Sequence, residues 1–289
     1  MTGAHRRSAI GGGALLIVAL AAAGPVRPAA GATAECREAP ARRDSLAGLG
    51  LRGELALASG ARAVLAGIHW PEEAGADAAA RAWLLAHRGR SLTLVARGET
   101  DRWGRDQVDA SLEGAASAAP TPSDPTPVDP TPVELAPIDL AGGLVEAGLV
   151  PVDAGERETL CRPALLTLEA GARRAGRGLW SQAGPGVRDG AALRARMGRF
   201  VVAQGAVLRV GERARRTYLD FARKGEDGLT VTVSKRTWRR LQERGLSAES
   251  LRGREVRVRG RLEAWRGPTL DVASADVIEV LDGERAPRR

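Results

Sequence analysis

The sequence predicts a mainly β fold with helices (α+β), divided into two small domains. Two groups of short segments with alternating apolar residues, at 46–112 and 200–280, have the pattern of strands. Gly184-Pro185-Gly186 separates them, and the charge changes sign at the same place. Residues 33–186 carry 16 arginines and 21 acidic residues, a net charge of −5, whereas residues 187–289 carry 24 basic and 14 acidic residues, a net charge of +10. The two halves should therefore differ in their partners.

The N-terminal residues have the pattern of a secretory signal peptide. His5, Arg6 and Arg7 precede an apolar run at 9–23, and small residues ending in Ala30-Gly31-Ala32 follow. A membrane anchor is the alternative, but it needs about 20 apolar residues. We expect cleavage after Ala32, export to the periplasm or the medium, and no membrane span after cleavage.

Cys36 and Cys161 are the two cysteines of the chain. In an oxidising compartment an even pair is more often bridged than free, and two cysteines alone cannot make a metal site. We expect a disulfide that holds the N-terminal arm on the first domain, with free thiols as the alternative.

Periodicity places most elements. In the first domain it predicts strands near 55–57, 64–65, 91–96 and 107–112, a helix opening at Pro71, and helices at 140–149 and 156–180. In the second it predicts strands at 200–210, 217–221, 229–233, 255–262 and 269–280 around one helix at 236–244, which is typical of a small closed barrel of the OB (oligonucleotide-binding) type. We place the domains at 33–184 and 187–282, with a tail at 283–289.

Residues 115–137 interrupt this pattern. They are rich in proline, threonine and aspartate, have no apolar period and cannot bury a face. An interdomain linker is one interpretation. The similarity described next continues beyond this segment, which favours a loop inserted within the first domain.

Three stretches of the first domain, in order across residues 46–181, carry a family resemblance. They are Leu65-Ala66-Gly67-Ile68-His69-Trp70-Pro71-Glu72, Asp101-Arg102-Trp103-Gly104-Arg105, and residues 144–150 followed by Glu169, Ala172-Arg173 and Gly178-Leu179-Trp180. Together they resemble the thermonuclease family, the staphylococcal-nuclease-like calcium-dependent nucleases. The resemblance implies an OB-type barrel with C-terminal helices. The second domain, through Tyr218-Leu219-Asp220-Phe221, residues 251–260 and Gly267-Pro268, resembles OB-type modules that follow such domains in some exported bacterial proteins.

The resemblance also implies a site. In that family calcium held by carboxylates polarises the phosphate, a glutamate activates water, and two arginines bind the phosphoryl oxygens. Glu72 matches the glutamate and Arg105 the second arginine. Each also has an ordinary structural interpretation, since Glu72 can favour a helix N-terminus and Arg105 can pair with Asp101.

The other three positions of that site are replaced. The first metal aspartate falls on Gly53, and only a one-residue slip would offer Glu54 instead. The position of the family's first arginine is Val64, and the position of its second metal aspartate is His69. A histidine offers a ring nitrogen, whereas calcium requires oxygen ligands. We therefore expect no metal or other cofactor, and weak or absent nuclease activity. His69 has the alternative of being an ordinary half-buried ring.

A strand of the second domain suggests a binding surface. Alternation along 255–262 puts Val256, Val258 and Leu262 on one face and Arg257, Arg259 and Arg261 on the other. Trp265 follows, and Tyr218 joins it if the two strands are adjacent. Arginines beside exposed aromatic rings suit single-stranded nucleic acid. The alternative is a solvated outer face with both rings in the core.

These observations lead to one expectation of function with two alternatives. We expect an exported nuclease-like protein, weakened or inactive, that binds single-stranded nucleic acid or another polyanion through its basic second domain. The alternatives are an active metal-dependent phosphodiesterase that uses Glu72 and Arg105, and an envelope interaction protein that docks through residues 115–137. The oligomeric state does not follow from the sequence.

Overall fold

The computed structural model describes residues 36–113, 138–223, 225–265 and 267–281. The expected signal peptide at 1–32, the Pro-rich segment at 115–137 and the tail at 283–289 lie outside these ranges. The described residues belong to one compact unit, Ala32–Arg289. Among them, no helix combines the length and the apolar character that crossing a bilayer would require.

The first group of strands closes into a barrel. Its elements are β1 (Arg42–Leu49), β2 (Leu55–Leu57), β3 (Arg62–Leu65), helix α1 (Ala74–Leu85), β4 (Ser91–Ala96) and β5 (Asp106–Leu112). The strand order is β1-β2-β3-β5-β4, and the barrel closes because β4 pairs with β1 and β3 pairs with β5 in parallel. Alternate residues fill the interior, such as Val108, Ala110 and Leu112 of β5.

Two helices pack behind this barrel. Strand β6 (Ile138–Asp139) pairs with β5 and leads into α2 (Leu140–Glu146), where the Asp139 side chain accepts the N–H of Gly142 as an N-cap. Helix α3 (Ala164–Arg174) is shorter than the predicted 156–180. Pro163 explains the late start, because proline is tolerated at the beginning of a helix but disfavours helical backbone in the residue before it. A short 3-10 helix at Gly178–Ser181 follows.

The second group of strands forms another barrel. Its elements are α4 (Gly190–Arg194), β7 (Phe200–Ala206), β8 (Arg209–Glu212), β9 (Arg216–Asp220), β10 (Thr230–Ser234), α5 (Lys235–Glu243), α6 (Ala248–Leu251), β11 (Glu255–Ala264), β12 (Pro268–Val272) and β13 (Glu279–Val280). The predicted strand at 200–210 is split into β7 and β8, and that at 269–280 into β12, a 3-10 turn at Ala275–Val277, and β13.

The two barrels share one topology. In the second barrel, β7 and β8 are the two halves of the first strand. The strand order of that barrel is β8-β9-β10-β12-β11-β7, which is the same circuit as in the first barrel. In both, the third and fifth strands pair in parallel, and a helix, α1 or α5, joins the third strand to the fourth. The fold is therefore α+β with two OB-type barrels, as predicted.

The disulfide is also confirmed. Cys36 and Cys161 are bonded, with Cα atoms 5.2 Å apart. The bond joins the arm before β1 to the loop between α2 and α3. That loop contacts the second barrel, since the backbone N–H of Leu160 donates to Asp276 (2.9 Å) and Arg240 Nη1 donates to the carbonyl of Glu158 (2.8 Å).

Candidate functional site

A groove of about 970 Å³ opens on the side of the first barrel where the sequence places its candidate catalytic residues. Its walls are the segment that joins β3 to α1, the turn between β4 and β5, and part of the loop between α2 and α3. Arg261 of β11 contributes from the second barrel. Glu72 and Arg105 both line this groove, so the structure brings the two family-matched residues together.

Glu72 is the anionic half of an ion pair between the barrels. Its Oε1 accepts a hydrogen bond from Arg261 Nη2 at 2.9 Å and lies 3.8 Å from His69 Nε2. The carboxylate expected to activate water is therefore occupied by a cation that the sequence did not associate with it.

Arg105 is held equally firmly within the first barrel. Its Nε donates to Asp101 Oδ2 at 2.8 Å, and its Nη1 lies 3.6 Å from Glu54 Oε2. Burial acts to raise the pKa of Asp101, but hydrogen bonds from Arg105 and from the backbone N–H of Trp103 outweigh it and hold that pKa below its ordinary value. The guanidinium therefore faces the groove with its charge balanced by two carboxylates.

The position of the first metal ligand cannot carry a carboxylate. Gly53 has φ +69°, and a Cβ added there would come within 2.0 Å of the Trp70 ring. Its neighbour Glu54 has oxygens 3.6 Å from both Arg62 Nη1 and Arg105 Nη1. Two guanidinium groups already balance that carboxylate, which leaves it a poor ligand for a divalent cation.

The position of the second metal ligand is equally unsuited to binding calcium. His69 stacks on Phe200 of β7 with ring centroids 4.1 Å apart, and its Nδ1 lies 3.4 Å from Asp153 Oδ2. Within the ranges that the structure describes, no three His, Cys, Asp or Glu side chains converge as a metal site. Calcium requires several converging oxygen ligands, so the residues present here do not fit it.

The structure contradicts the predicted exposure of the β11 arginines. Alternation is as predicted, but the arginine side is largely covered, because Arg257 is 6% and Arg259 2% exposed. Arg259 donates to Glu169 of α3, to Glu279 of β13 and to the carbonyl of Val152. The expectation of an exposed three-arginine face is wrong, because Arg259 is buried against α3 and Arg257 is buried within the second barrel, where guanidinium groups need carboxylate partners.

Arg261 alone of these three reaches solvent substantially, with 49% of its side chain exposed. Arg257 Nη1 instead lies 3.6 Å from Glu279 Oε2, and its Nη2 donates to Gln204 Oε1 at 3.1 Å. Arg257 is therefore held within the second barrel and Arg259 joins the two barrels, and neither presents a surface.

The rings of Tyr218 and Trp265 meet, although the expectation from the sequence required adjacent strands and β10 and β12 lie between β9 and β11. Their rings are stacked, with centroids 6.0 Å apart and planes 17° apart, and Trp265 is 46% exposed while Tyr218 is half-buried. Tyr218 is on β9, the second strand of its barrel, and Trp265 is in the hairpin between β11 and β12. The alternative that placed both rings in the core is excluded.

Sequence reasoning missed two features of these surfaces. The hairpin between β8 and β9 presents Arg213 and Arg215, both exposed, and Arg216 begins β9 on the same side as Tyr218. The signal was available, since Glu212-Arg213-Ala214-Arg215-Arg216 separates two strand patterns. In the groove, Trp103 is 54% exposed, with Arg102 Cζ 4.1 Å and Arg105 Cζ 4.8 Å from its ring centroid.

No protein-family model and no curated protein matches the chain. Among solved structures it is similar to the extended Tudor domain of Drosophila melanogaster Tudor-SN (p100), with 18% identity, 42% of this chain and 47% of that chain covered, and a TM-score of 0.29. The chain thus spans about half of that structure. It is also similar to the OBody AM3L09 bound to hen egg-white lysozyme, with 23% identity, 30% and 85% coverage, and a TM-score of 0.23. At these TM-scores the likenesses add nothing to the assignment, and the strand orders themselves identify two OB-type barrels.

Proposed function

We propose that this chain is an exported, thermonuclease-like protein that binds single-stranded nucleic acid on its second barrel and does not hydrolyse it with calcium. The stacked pair Tyr218–Trp265 carries the proposal. OB-type barrels bind oligonucleotides on the face of their second and third strands and on the adjoining loops. Exposed aromatic faces stack bases of any sequence, because every base has a π face.

Charge beside the rings supports the same ligand. Arg216 and Tyr218 lie on one side of β9, about 7 Å apart along the strand at ~3.3 Å per residue. Arg213 and Arg215 extend this basic end in the hairpin. Arg216 is paired with Asp271, so Arg213 and Arg215 are the guanidinium groups offered to the phosphates of a strand stacked on the rings. Neutralising those phosphates releases counterions.

The groove supports binding without hydrolysis. Glu72 is engaged by Arg261 and the site of the first carboxylate is filled by the Trp70 ring. A hydrolytic site of the calcium type would need converging carboxylates and a glutamate open to water.

The test is fluorescence anisotropy of the mature chain with a labelled single-stranded DNA oligonucleotide. Trp265→Ala should weaken binding by about 1–3 kcal/mol for each base stacked there, with the salt dependence unchanged. Arg213→Ala/Arg215→Ala should flatten the slope of log K against log salt by up to about 1.4, at ~0.7 per phosphate contact. Arg88→Ala/Arg174→Ala removes the same charge from exposed sites on the first barrel and is the control.

Equal losses in the control and in the hairpin variant would contradict the proposal. Inorganic polyphosphate, which has charge but no bases, distinguishes a general polyanion binder. If it competes as strongly as DNA and Trp265→Ala leaves DNA binding unchanged, the ligand is any polyanion and the rings have no part in binding.

A further inference from the structure

The outward side of β11 leads from one barrel to the other. Arg257, Arg259, Arg261 and Glu263 alternate onto this side, and Trp265 follows at the next position of the same parity. The first two are buried, Arg259 against α3, while Arg261, Glu263 and Trp265 are exposed. Arg261 lines the groove, roughly 13 Å along the chain from Trp265 at ~3.3 Å per residue.

The turn between β4 and β5, which also lines the groove, carries a second aromatic surface. Asp101 Oδ1 accepts hydrogen bonds from the backbone N–H groups of Trp103 (2.9 Å) and Arg105 (3.0 Å), which fixes the turn between β4 and β5. The 54% exposed Trp103 ring thus has a set position beside the guanidinium groups of Arg102 and Arg105. An exposed ring with cations beside it is the combination that binds single strands.

We propose that these two surfaces are the ends of one binding track. A single strand stacked on Tyr218 and Trp265 continues along the outward side of β11, passes Arg261 and enters the groove to reach Trp103. This inference rests on the proposed function and extends it to the first barrel.

Arg261 is the link between the two surfaces. Its Nη1 donates to the carbonyl of Gly198 and its Nη2 to Glu72, and these two bonds hold the guanidinium against the groove. A guanidinium has five N–H donors, so donors remain for a phosphate. Glu263 is the one carboxylate among the three exposed side chains on the outward side of β11. Its negative charge repels a phosphate that passes along this side.

The experiment compares oligonucleotides of about 4 and about 16 nucleotides, the limits of the site sizes of OB folds, on the full mature chain. Trp103→Ala should weaken the long ligand about 5- to 150-fold and leave the short one unchanged. Arg261→Gln should flatten the salt slope for the long ligand by about 0.7, and Glu263→Gln should strengthen its binding. Leu51→Ala, at an 87% exposed position of the first barrel, is the matched control and should leave the binding of both oligonucleotides unchanged.

The outcomes separate this inference from the proposed function. If Trp265→Ala weakens both ligands while Trp103→Ala and Arg261→Gln affect neither, the track is refuted and the proposed function stands. If Trp103→Ala weakens both lengths equally, the groove is a separate site and the track is again refuted. If neither oligonucleotide binds, or Trp265→Ala has no effect on either, the proposed function itself fails. Urea unfolding of Arg261→Gln verifies that its effect is not a loss of fold.

Discussion

Arg259 of β11 and Glu169 of α3 form an ion pair that is almost completely buried between the two barrels, with 0% and 1% of their side chains exposed. Arg259 also donates to Glu279, and Glu169 accepts from Arg173 Nη2 at 3.2 Å. Burial acts to lower the pKa of Arg259, but Glu169 and Glu279 raise it above its ordinary value, so the guanidinium stays charged. These contacts make the barrels one unit and argue against studying either in isolation.

We predict that Glu169→Ala lowers the free energy of unfolding by about 3–5 kcal/mol, because it leaves the charge of Arg259 buried without its main partner. Urea unfolding followed by tryptophan fluorescence measures this. The double variant Glu169→Met/Arg259→Met should recover part of the loss, since apolar replacement of a whole buried pair is often tolerated. A cost below about 1 kcal/mol for the single variant would show that the junction is open to water.

The disulfide should contribute strongly to stability. Cys36→Ser/Cys161→Ser frees a loop with a sequence separation of 125, and removal of such a bond typically costs about 2–5 kcal/mol. Urea unfolding with and without a reductant is the measurement. The wild-type protein should become less stable on reduction and the variant should not, and equal curves for oxidised and reduced wild-type protein would refute the prediction.

Calcium should not stimulate cleavage of single-stranded DNA. Gly53 packs against Trp70 and His69 stacks on Phe200, so the groove does not supply the carboxylates that calcium needs. Gel assays with calcium and with a chelator should give the same rate, and Glu72→Gln should leave it unchanged. Rapid cleavage that the chelator and Glu72→Gln both abolish would overturn this interpretation.

Asp101 should make stability sensitive to acid. Its folded pKa lies below the ordinary value of 3.8. The stabilisation is therefore fully present above about pH 4 and is lost as the pH falls through the folded pKa. Asp101→Asn should be less stable at pH 7 and lose less stability on acidification. Urea midpoints between pH 7 and pH 2.5 measure this, and the curves of variant and wild type should approach each other at the acid end. Parallel curves would contradict the prediction.

Local patterns predicted much of this structure and failed at identifiable points. Periodicity located most of the strands, though not β1 or β6, and it located α1 and α5, the helices that join the third strand of each barrel to the fourth. Cysteine parity predicted the disulfide. The alternation of β11 showed which residues share a side, but it contains no information on what covers that side. Glu169, which covers Arg259, is 90 positions away.

The candidate site shows the same limit. The sequence alone showed that the calcium ligands are replaced, because Gly53 and His69 can each be compared with the family's aspartates singly. The contacts around these residues are tertiary and could not be read from the sequence. The Trp70 ring lies against Gly53, and from the second barrel Phe200 reaches His69 and Arg261 reaches Glu72. The exposure of the hairpin arginines Arg213 and Arg215 was predictable, because a run of charged residues between two strand patterns indicates a turn at the surface.

The Cys36–Cys161 bond also determines the covalent connectivity of the protein after proteolysis. It makes residues 36–161 a closed ring that includes every strand of the first barrel, with the second barrel attached outside it. One cut anywhere between Cys36 and Cys161 opens the ring but detaches no part of the chain. Such a product migrates as one band on a denaturing gel without reductant and as two bands with it. A cut between residues 175 and 199 separates the barrels under both conditions, so the pair of gels identifies which side of Cys161 was cleaved.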